Sequence, residues 1–355
     1  MKILNIPIEP LEERYSIQWD TWFKDAFEQT KFETITIYGD NATGKIVSGS
    51  FLDVVNTNEY KTSQLLKILE YLKGYDGKEP LVLFFHDLWF PGLVNIAYVA
   101  DGMGFDNLYI TGCLHAGSYD EYDFLNKKGM TPWAQYFEKM IFKVVDFVFV
   151  ATEFHRKLIL KKIGTADPRQ VIVTGFPFKV FPEPEQIVPK ENIVVFPHRL
   201  DSEKQPDMFD RVAKAARRTG WKFIKSKEVC KTKAEYYQLL AKSKIAISCA
   251  LQETWGIAMQ EAVMYGCLPL VPNRLSYVEM YNEDFIYYDE KNLVQILNTA
   301  MDFFDMAQTK VINFKVIVLK NTIRMNGNSA IFNMITMLSN FKEIEENDRK
   351  KKRRY

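Results

Sequence analysis

The chain has 355 residues, of which 47% are hydrophobic and 14% aromatic, enough for more than one core, since a single core stops growing at roughly 250 to 300 residues. Its 46 basic and 45 acidic residues leave a formal charge of +1, which excludes a strong global field for collecting polyanions; any nucleic-acid contact has to come from a local patch. The four cysteines, Cys113, Cys230, Cys249 and Cys267, contain no C-x-x-C pair and read as reduced and structural. The opening residues 1–10 do not read as a secretory signal and no apolar run approaches the roughly 18 to 20 residues of a membrane span, so a cytoplasmic protein is expected.

In chain order, residues 2–7 (KILNIP) predict a strand, and 16–30, with Trp19, Trp22, Phe23, Ala26 and Phe27 at three-and-four spacing, a helix with one apolar face. A helix over 61–73 closes at Gly74 and leads to a strand over 81–85, whose continuous apolar run implies burial on both faces. Strands over 108–111 and 147–151 follow, separated by a helix over 132–145. Four prolines within 176–190 break regular structure and mark a connection between domains. A second series then begins: strand 192–196, helix 206–219, strand 221–224, helix 233–242, strand 244–249, helix 257–265 and strand 268–271. Strands alternating with helices of this length predict an α/β protein with parallel sheets. The expected division is two Rossmann-like domains, 1–178 and 179–328, then a C-terminal helix from about Ser329 to Phe341 and a basic tail, together 329–355.

The segment 248–272, SCALQETWGIAMQEAVMYGCLPLVP, places Glu253 in a polar loop after a strand, Gly256 and Ile257 at a helix start, and Glu261 about one turn inside. Gly266 closes that helix. Free amides and the positive end of the dipole at the helix start make a seat for a diphosphate or for sugar hydroxyls. Two carboxylates separated by seven residues can accept hydrogen bonds from one polyhydroxylated ligand; the plainer alternative is a helix carrying two solvated acids. Strand 192–196 ends in PHRLDSEKQPD, where Arg199 and Lys204 are placed to neutralise charge on a departing nucleoside diphosphate. The alternative there is a basic loop paired with Asp201 and Glu203.

These segments resemble retaining GT-B glycosyltransferases of family 4. Glu253 and Glu261 match the E-x7-E signature, with the ending EA-x-x-x-G-x-P at Glu261, Ala262, Gly266, Leu268 and Pro269; Arg199 and Lys204 match the R-L-x-x-x-K loop, with His198 in place of the usual glycine. PHR, and PLVPNRLSYVE at 269–279, are similar to the family that mannosylates queuosine in transfer RNA. The resemblance implies a GT-B fold, two Rossmann-like domains with a cleft between them, and sugar transfer from a nucleotide diphosphate sugar with retention. It implies donor contacts from Arg199, Lys204, Glu253, Gly256, Ile257 and Glu261, with Glu253 on the sugar and Glu261 on the ribose. Catalytic roles would fall to His115, Arg199, Lys204 and Glu253, His115 matching the family's histidine near the sixth carbon of the donor sugar.

In the first half, FFHDLWFPG puts His86 and Asp87 at the end of the buried strand, open to a structural or a functional role, and IEPLEERYSIQW offers Glu9, Arg14 and Tyr15. All five are candidate acceptor contacts; a folded-down capping loop is the alternative for 8–19. In VFVATEFHRK, Thr152 and Glu153 end a strand and His155 reads as a surface residue. The opening segment, GSFLDVVNTNEYKTSQ, HDLWFPG and HAGSYDEYDFLNKKGM are similar to glycosyltransferases carried by tailed phages. That likeness implies a nucleic-acid acceptor, first a hydroxymethyl pyrimidine in phage DNA, with RKKKRR at 349–354 either a phosphate-attracting arm or a solvated tail. Queuosine in transfer RNA or a glycan are alternatives, as is a noncatalytic sugar-nucleotide or nucleic-acid binding protein. No D-x-D pair follows a strand and no zinc-ligand spacing occurs, so no metal and no cofactor are expected; without G-x-G-x-x-G a dehydrogenase is disfavoured.

Overall fold

The run LVLFF at Leu81–Phe85 has no polar face, and every one of its residues is buried in the structure. The structure is a computed structural model that describes residues 1–11, 15–42, 53–179, 188–216, 218–306 and 310–340. Arg14, the connector residues 180–187 and the tail 341–355 with its RKKKRR run lie outside the described residues.

The first half builds a six-stranded sheet from β1 (Lys2–Ile6), β2 (Glu33–Thr36), β3 (Leu81–Phe85), β4 (Leu108–Cys113), β5 (Phe147–Val150) and β6 (Val171–Val173). Its order is β2-β1-β3-β4-β5-β6, and every pairing is parallel. The second half builds a five-stranded sheet from β7 (Glu191–Phe196), β8 (Lys222–Lys225), β9 (Ser243–Ile247), β10 (Leu268–Pro272) and β11 (Ile286–Tyr287), ordered β11-β10-β9-β7-β8 and again all parallel. The expected α/β class with two parallel sheets is thus observed. Strands β2, β6 and β11 were not among the expected elements: they hold only four, three and two residues, although 34–37 (TITI) alternates polar and apolar as a strand does.

Strand order reverses between β1 and β3 in the first sheet and between β7 and β9 in the second. At such a reversal the connections leave on opposite faces and open a crevice beyond the carboxyl ends of the strands. In the second sheet, the loops bounding that crevice are 197–205 and 248–256.

The helices mostly occupy the expected stretches with shifted ends. Val54–Lys73 starts earlier than its apolar periodicity because the Asp53 carboxylate caps it, accepting from the amides of Val55 at 3.1 Å and Asn56 at 3.0 Å. The larger difference is at the C-terminus, where one helix runs from Lys310 to Ser339 without a break near Ser329. Val316, Leu319 and Ile323 join the core of the second half, while Ile331, Met334 and Leu338 pack into a cluster with Trp19, Phe23 and Phe84 of the first. The helix therefore ties the two halves together. Apolar residues on its outward side blur the amphipathic pattern over 310–328, which hid its start. Gly327 lets it pass the interdomain chain: a Cβ there would lie 2.1 Å from the carbonyl oxygen of Phe178.

Candidate functional site

Loop 197–205 folds as an extended exit from β7 followed by a single 3-10 turn, Ser202–Lys204, with Gln205 in the left-handed region at φ 55°. The Leu251 amide donates to the Glu203 carbonyl at 2.7 Å and locks this loop to 248–256. Lys204 is thereby carried inward, its side chain 8% exposed, and its ammonium donates to the Gln252 carbonyl at 2.5 Å and to Glu253 Oε2 at 3.2 Å. Arg199 stays nearer solvent at 41%, and its guanidinium pairs with Asp201 at 3.3 Å and Glu203 at 3.2 Å. The loop pairing weighed as the plainer alternative for Arg199 is therefore the observed arrangement.

Glu253 is anchored through one oxygen and shared through the other. Its Oε1 accepts from the amides of Thr254 at 3.2 Å, Trp255 at 3.4 Å and Gly256 at 2.8 Å, while Oε2 faces Lys204. Burial alone would raise its pKa, but Lys204 and the Gly256 amide outweigh that and hold it at about 2. The amides expected to seat an anion are thereby divided. Three amides ahead of the Ile257–Met264 helix are already taken by the carboxylate of its own loop; those of Ile257 and Ala258 make no hydrogen bond among the described residues. Gly256, at φ 65°, provides the turn that aims them. Glu261, one turn further, is buried and held by Lys233 Nζ at 2.7 Å and the Tyr237 hydroxyl at 3.1 Å, so neither glutamate is a loose surface acid.

His198 is buried beside this group. Burial, with Lys204 adding to it, lowers its pKa to about 3, so the ring is neutral at pH 7; among the described residues its Nε2 has no hydrogen-bond partner.

The carboxyl ends of β4 and β5 meet the second half at this point. The Thr254 hydroxyl donates to the His115 carbonyl at 2.9 Å, and the Thr152 hydroxyl donates to the Thr254 carbonyl at 3.1 Å. Glu279 accepts from the amides of Glu153 at 2.9 Å and Phe154 at 3.2 Å, and Lys127 reaches Ser202 at 2.9 Å and Glu203 at 3.5 Å. The His115 ring is engaged on both nitrogens. Its Nε2 donates to the His86 carbonyl at 2.8 Å, which leaves Nδ1 to accept from the Tyr15 hydroxyl at 3.2 Å. Burial lowers its pKa, consistent with that neutral tautomer.

The candidate acceptor contacts divide differently. Glu9 is buried and accepts from the Thr57 hydroxyl at 2.8 Å; Asp87 is buried against Lys61 at 3.1 Å. His86 has no exposed surface, and its Nε2 donates to Asn5 Oδ1 at 2.8 Å. These three are buried in the conformation described, and among the described candidates Tyr15, beside His115, is partly exposed. His155 is not a surface residue either: it is fully buried, with the Tyr119 hydroxyl 2.7 Å from Nε2. Its helix packs back on the sheet through the face that carries it.

Several residues of the site gave no separate signal. Thr254 stands between motif positions but acts on the opposite domain, and Lys233 meets Glu261 from another helix. Asp120, in the loop after β4, is buried with its pKa raised by that burial, and the amide of Tyr122 and the Lys204 charge act on it in the opposite sense. The acid that ends LHAGSYD was its only trace.

Among the described residues, no helix is long and apolar enough to cross a membrane, and no group of three or more His, Cys, Asp or Glu could hold a metal ion.

No protein-family profile matches the sequence. A 63-residue stretch is 40% identical to the tRNA-queuosine alpha-mannosyltransferase of Drosophila melanogaster, spanning 18% of this chain and 17% of that protein. Among solved structures, HepE from Anabaena in complex with UDP and glucose superposes with a TM-score of 0.61 at 13% identity, over 96% of this chain and 99% of that one. Sucrose-phosphate synthase from Thermosynechococcus elongatus gives 0.58 at 12% identity over the whole of both chains. The chain has the GT-B fold.

Proposed function

We propose that the protein is a metal-independent glycosyltransferase that takes a sugar from a nucleotide diphosphate sugar and transfers it with retention. The observation that carries this reading is the Lys204–Glu253 pair: a buried cation and a carboxylate anchored by three amides, at the strand reversal of the second sheet and facing the His115 strand end. A diphosphate entering the crevice takes over Lys204 and Arg199 from their carboxylate partners. Glu253 stays fixed through Oε1 and turns the released Oε2 to a sugar hydroxyl, while Glu261 accepts from the ribose. The anomeric bond then breaks through an oxocarbenium-like transition state. Lys204, Arg199 and the Ile257 and Ala258 amides stabilise the charge on the leaving diphosphate, whose oxygen takes the proton of an acceptor hydroxyl attacking on the same face.

For the acceptor we favour a hydroxymethyl pyrimidine in DNA, a reading that rests on the likeness of the first half to phage glycosyltransferases. A hydroxyl of queuosine in transfer RNA is the second reading, favoured by the 63-residue match. The test is incubation with a panel of nucleotide sugars and with hydroxymethylated DNA or transfer RNA, followed by digestion to nucleosides and mass analysis. A hexose or pentose increment on a DNA nucleoside is the expected result. An increment on transfer RNA alone replaces the acceptor, and no release of nucleoside diphosphate from any donor removes the enzymatic reading.

A further inference from the structure

The Lys310–Ser339 helix buries one side in both halves of the molecule and turns an uncharged apolar stripe outward. Val311, Val318, Met325 and Phe332 recur every seventh residue, with Phe314 in the same row, and all five are exposed, Phe314 at 67% and Met325 and Phe332 each at 70%. These are bulky groups directly opposite the buried row of Val316, Leu319, Ile323 and Met334, so they contribute nothing to the monomer's own core. A strict seven-residue repeat is the spacing at which two helices remain in register along a left-handed supercoil, and the stripe extends over about 30 Å. A narrow row of this kind fits another helix better than a broad lipid-facing surface does.

The charge pattern identifies the partner and its direction. Every charged residue of this helix is a cation, Lys310, Lys315, Lys320 or Arg324, and all four lie in its first half, while 325–339 (MNGNSAIFNMITMLS) carries no charge. A parallel copy would set cations against cations. An antiparallel copy sets the cationic half of each helix against the neutral half of the other, and it brings Phe314 of one copy opposite Phe332 of the second and Val311 opposite Ile335. We propose that this face is a two-fold, antiparallel helix-to-helix contact between two copies of the chain. A single helix pair buries less than the roughly 800 Å² per partner of a standard interface, so the dimer is reversible and concentration-dependent.

Sedimentation of the full chain over a concentration series up to about 100 µM is expected to show a monomer–dimer equilibrium, a dissociation constant in that range corresponding to a weak interface. Met325→Glu should shift it to monomer without lowering the melting temperature, since the side chain is outside the core. Direction is read by cross-linking. Phe314→Cys and Phe332→Cys proteins should form a disulfide when mixed and little when each is alone, whereas a parallel pair gives the reverse. A monomer at every concentration, or a dimer unchanged by both Met325→Glu and Val318→Glu, overturns the proposal. So does a monomer in solution that binds anionic phosphatidylserine vesicles through the stripe and loses that binding in Met325→Glu.

Discussion

Thr254 and His115 belong to different halves of the chain, and the Thr254 hydroxyl donates to the His115 carbonyl oxygen at 2.9 Å. Thr254 immediately follows Glu253, the residue that shares its carboxylate between three amides and Lys204. The same short loop thus closes the crevice and shapes its anionic wall. Lys127 to Ser202 and Glu279 to the amides of Glu153 and Phe154 act alongside it.

Thr254→Val keeps the volume and removes the donor. A neutral hydrogen bond is worth about 1 kcal/mol, so a comparable fall in stability is expected, with a donor KM raised roughly five-fold as closure is weakened. Thr254→Ser should restore both. Thermal melts and donor titrations check this; a Val variant with unchanged KM separates the contact from donor binding.

Lys204 and Arg199 should differ in stability though not in activity. Either alanine variant is expected to slow transfer by about 10²- to 10³-fold, the usual effect of losing one charge-stabilising donor. Lys204→Ala also leaves Glu253 buried without its ammonium, for which a loss of about 3 kcal/mol is expected. Arg199 is partly exposed, and its removal should cost less than about 1 kcal/mol. Turnover of a nucleotide sugar with denaturant melts distinguishes the two, and near-normal turnover in either variant counts against the assignment.

His86, His155 and His198 are each kept neutral by burial, with pKa values lowered to about 3 against 6.5 in an open chain. Between those limits the unfolded chain binds protons that the folded chain does not. Their contribution is therefore fully present above about pH 6.5 and is lost as pH falls toward 3. Unfolding near pH 5 should take up close to three protons from these groups, visible as a dependence of the melting enthalpy on buffer ionisation. Glu253, lowered to about 2 against 4.5, adds the same sign: its contribution is present above pH 4.5 and disappears as pH falls through 2. Asp123, raised to about 7 by burial, gives a proton up on unfolding at the same pH, so the rings' share is read as a difference: His155→Phe should lower the uptake near pH 5 by close to one proton, and an unchanged uptake contradicts the burial of that ring.

Gly327→Ala adds a methyl group that would meet the Phe178 backbone carbonyl at 2.1 Å. Neither backbone can retreat freely, so a loss of about 1 to 3 kcal/mol is expected. Guanidinium melts measure it. Asn328→Ala, on the exposed side of the same helix, should change stability little and serves as the control.

The apolar runs 81–85 and 192–196 and the Glu253–Glu261 spacing were legible because each is a local pattern: a continuous apolar strand, or a fixed number of residues along one loop and helix. From them the sequence determined the α/β class, two sheets, and the loops on which Arg199, Lys204 and Glu253 stand. Tertiary structure alone decided what those residues touch. Whether Glu9, His86 and Asp87 face a ligand or are buried depends on strand order, and strand order is set by pairings between residues far apart in the chain, as Lys2 lies beside Leu81. The same holds for Lys233 on Glu261, Thr254 on His115 and the outward stripe of the last helix. An energy that exists only between distant segments leaves no period in either one, and so the sequence shows the parts of this site but not their assembly.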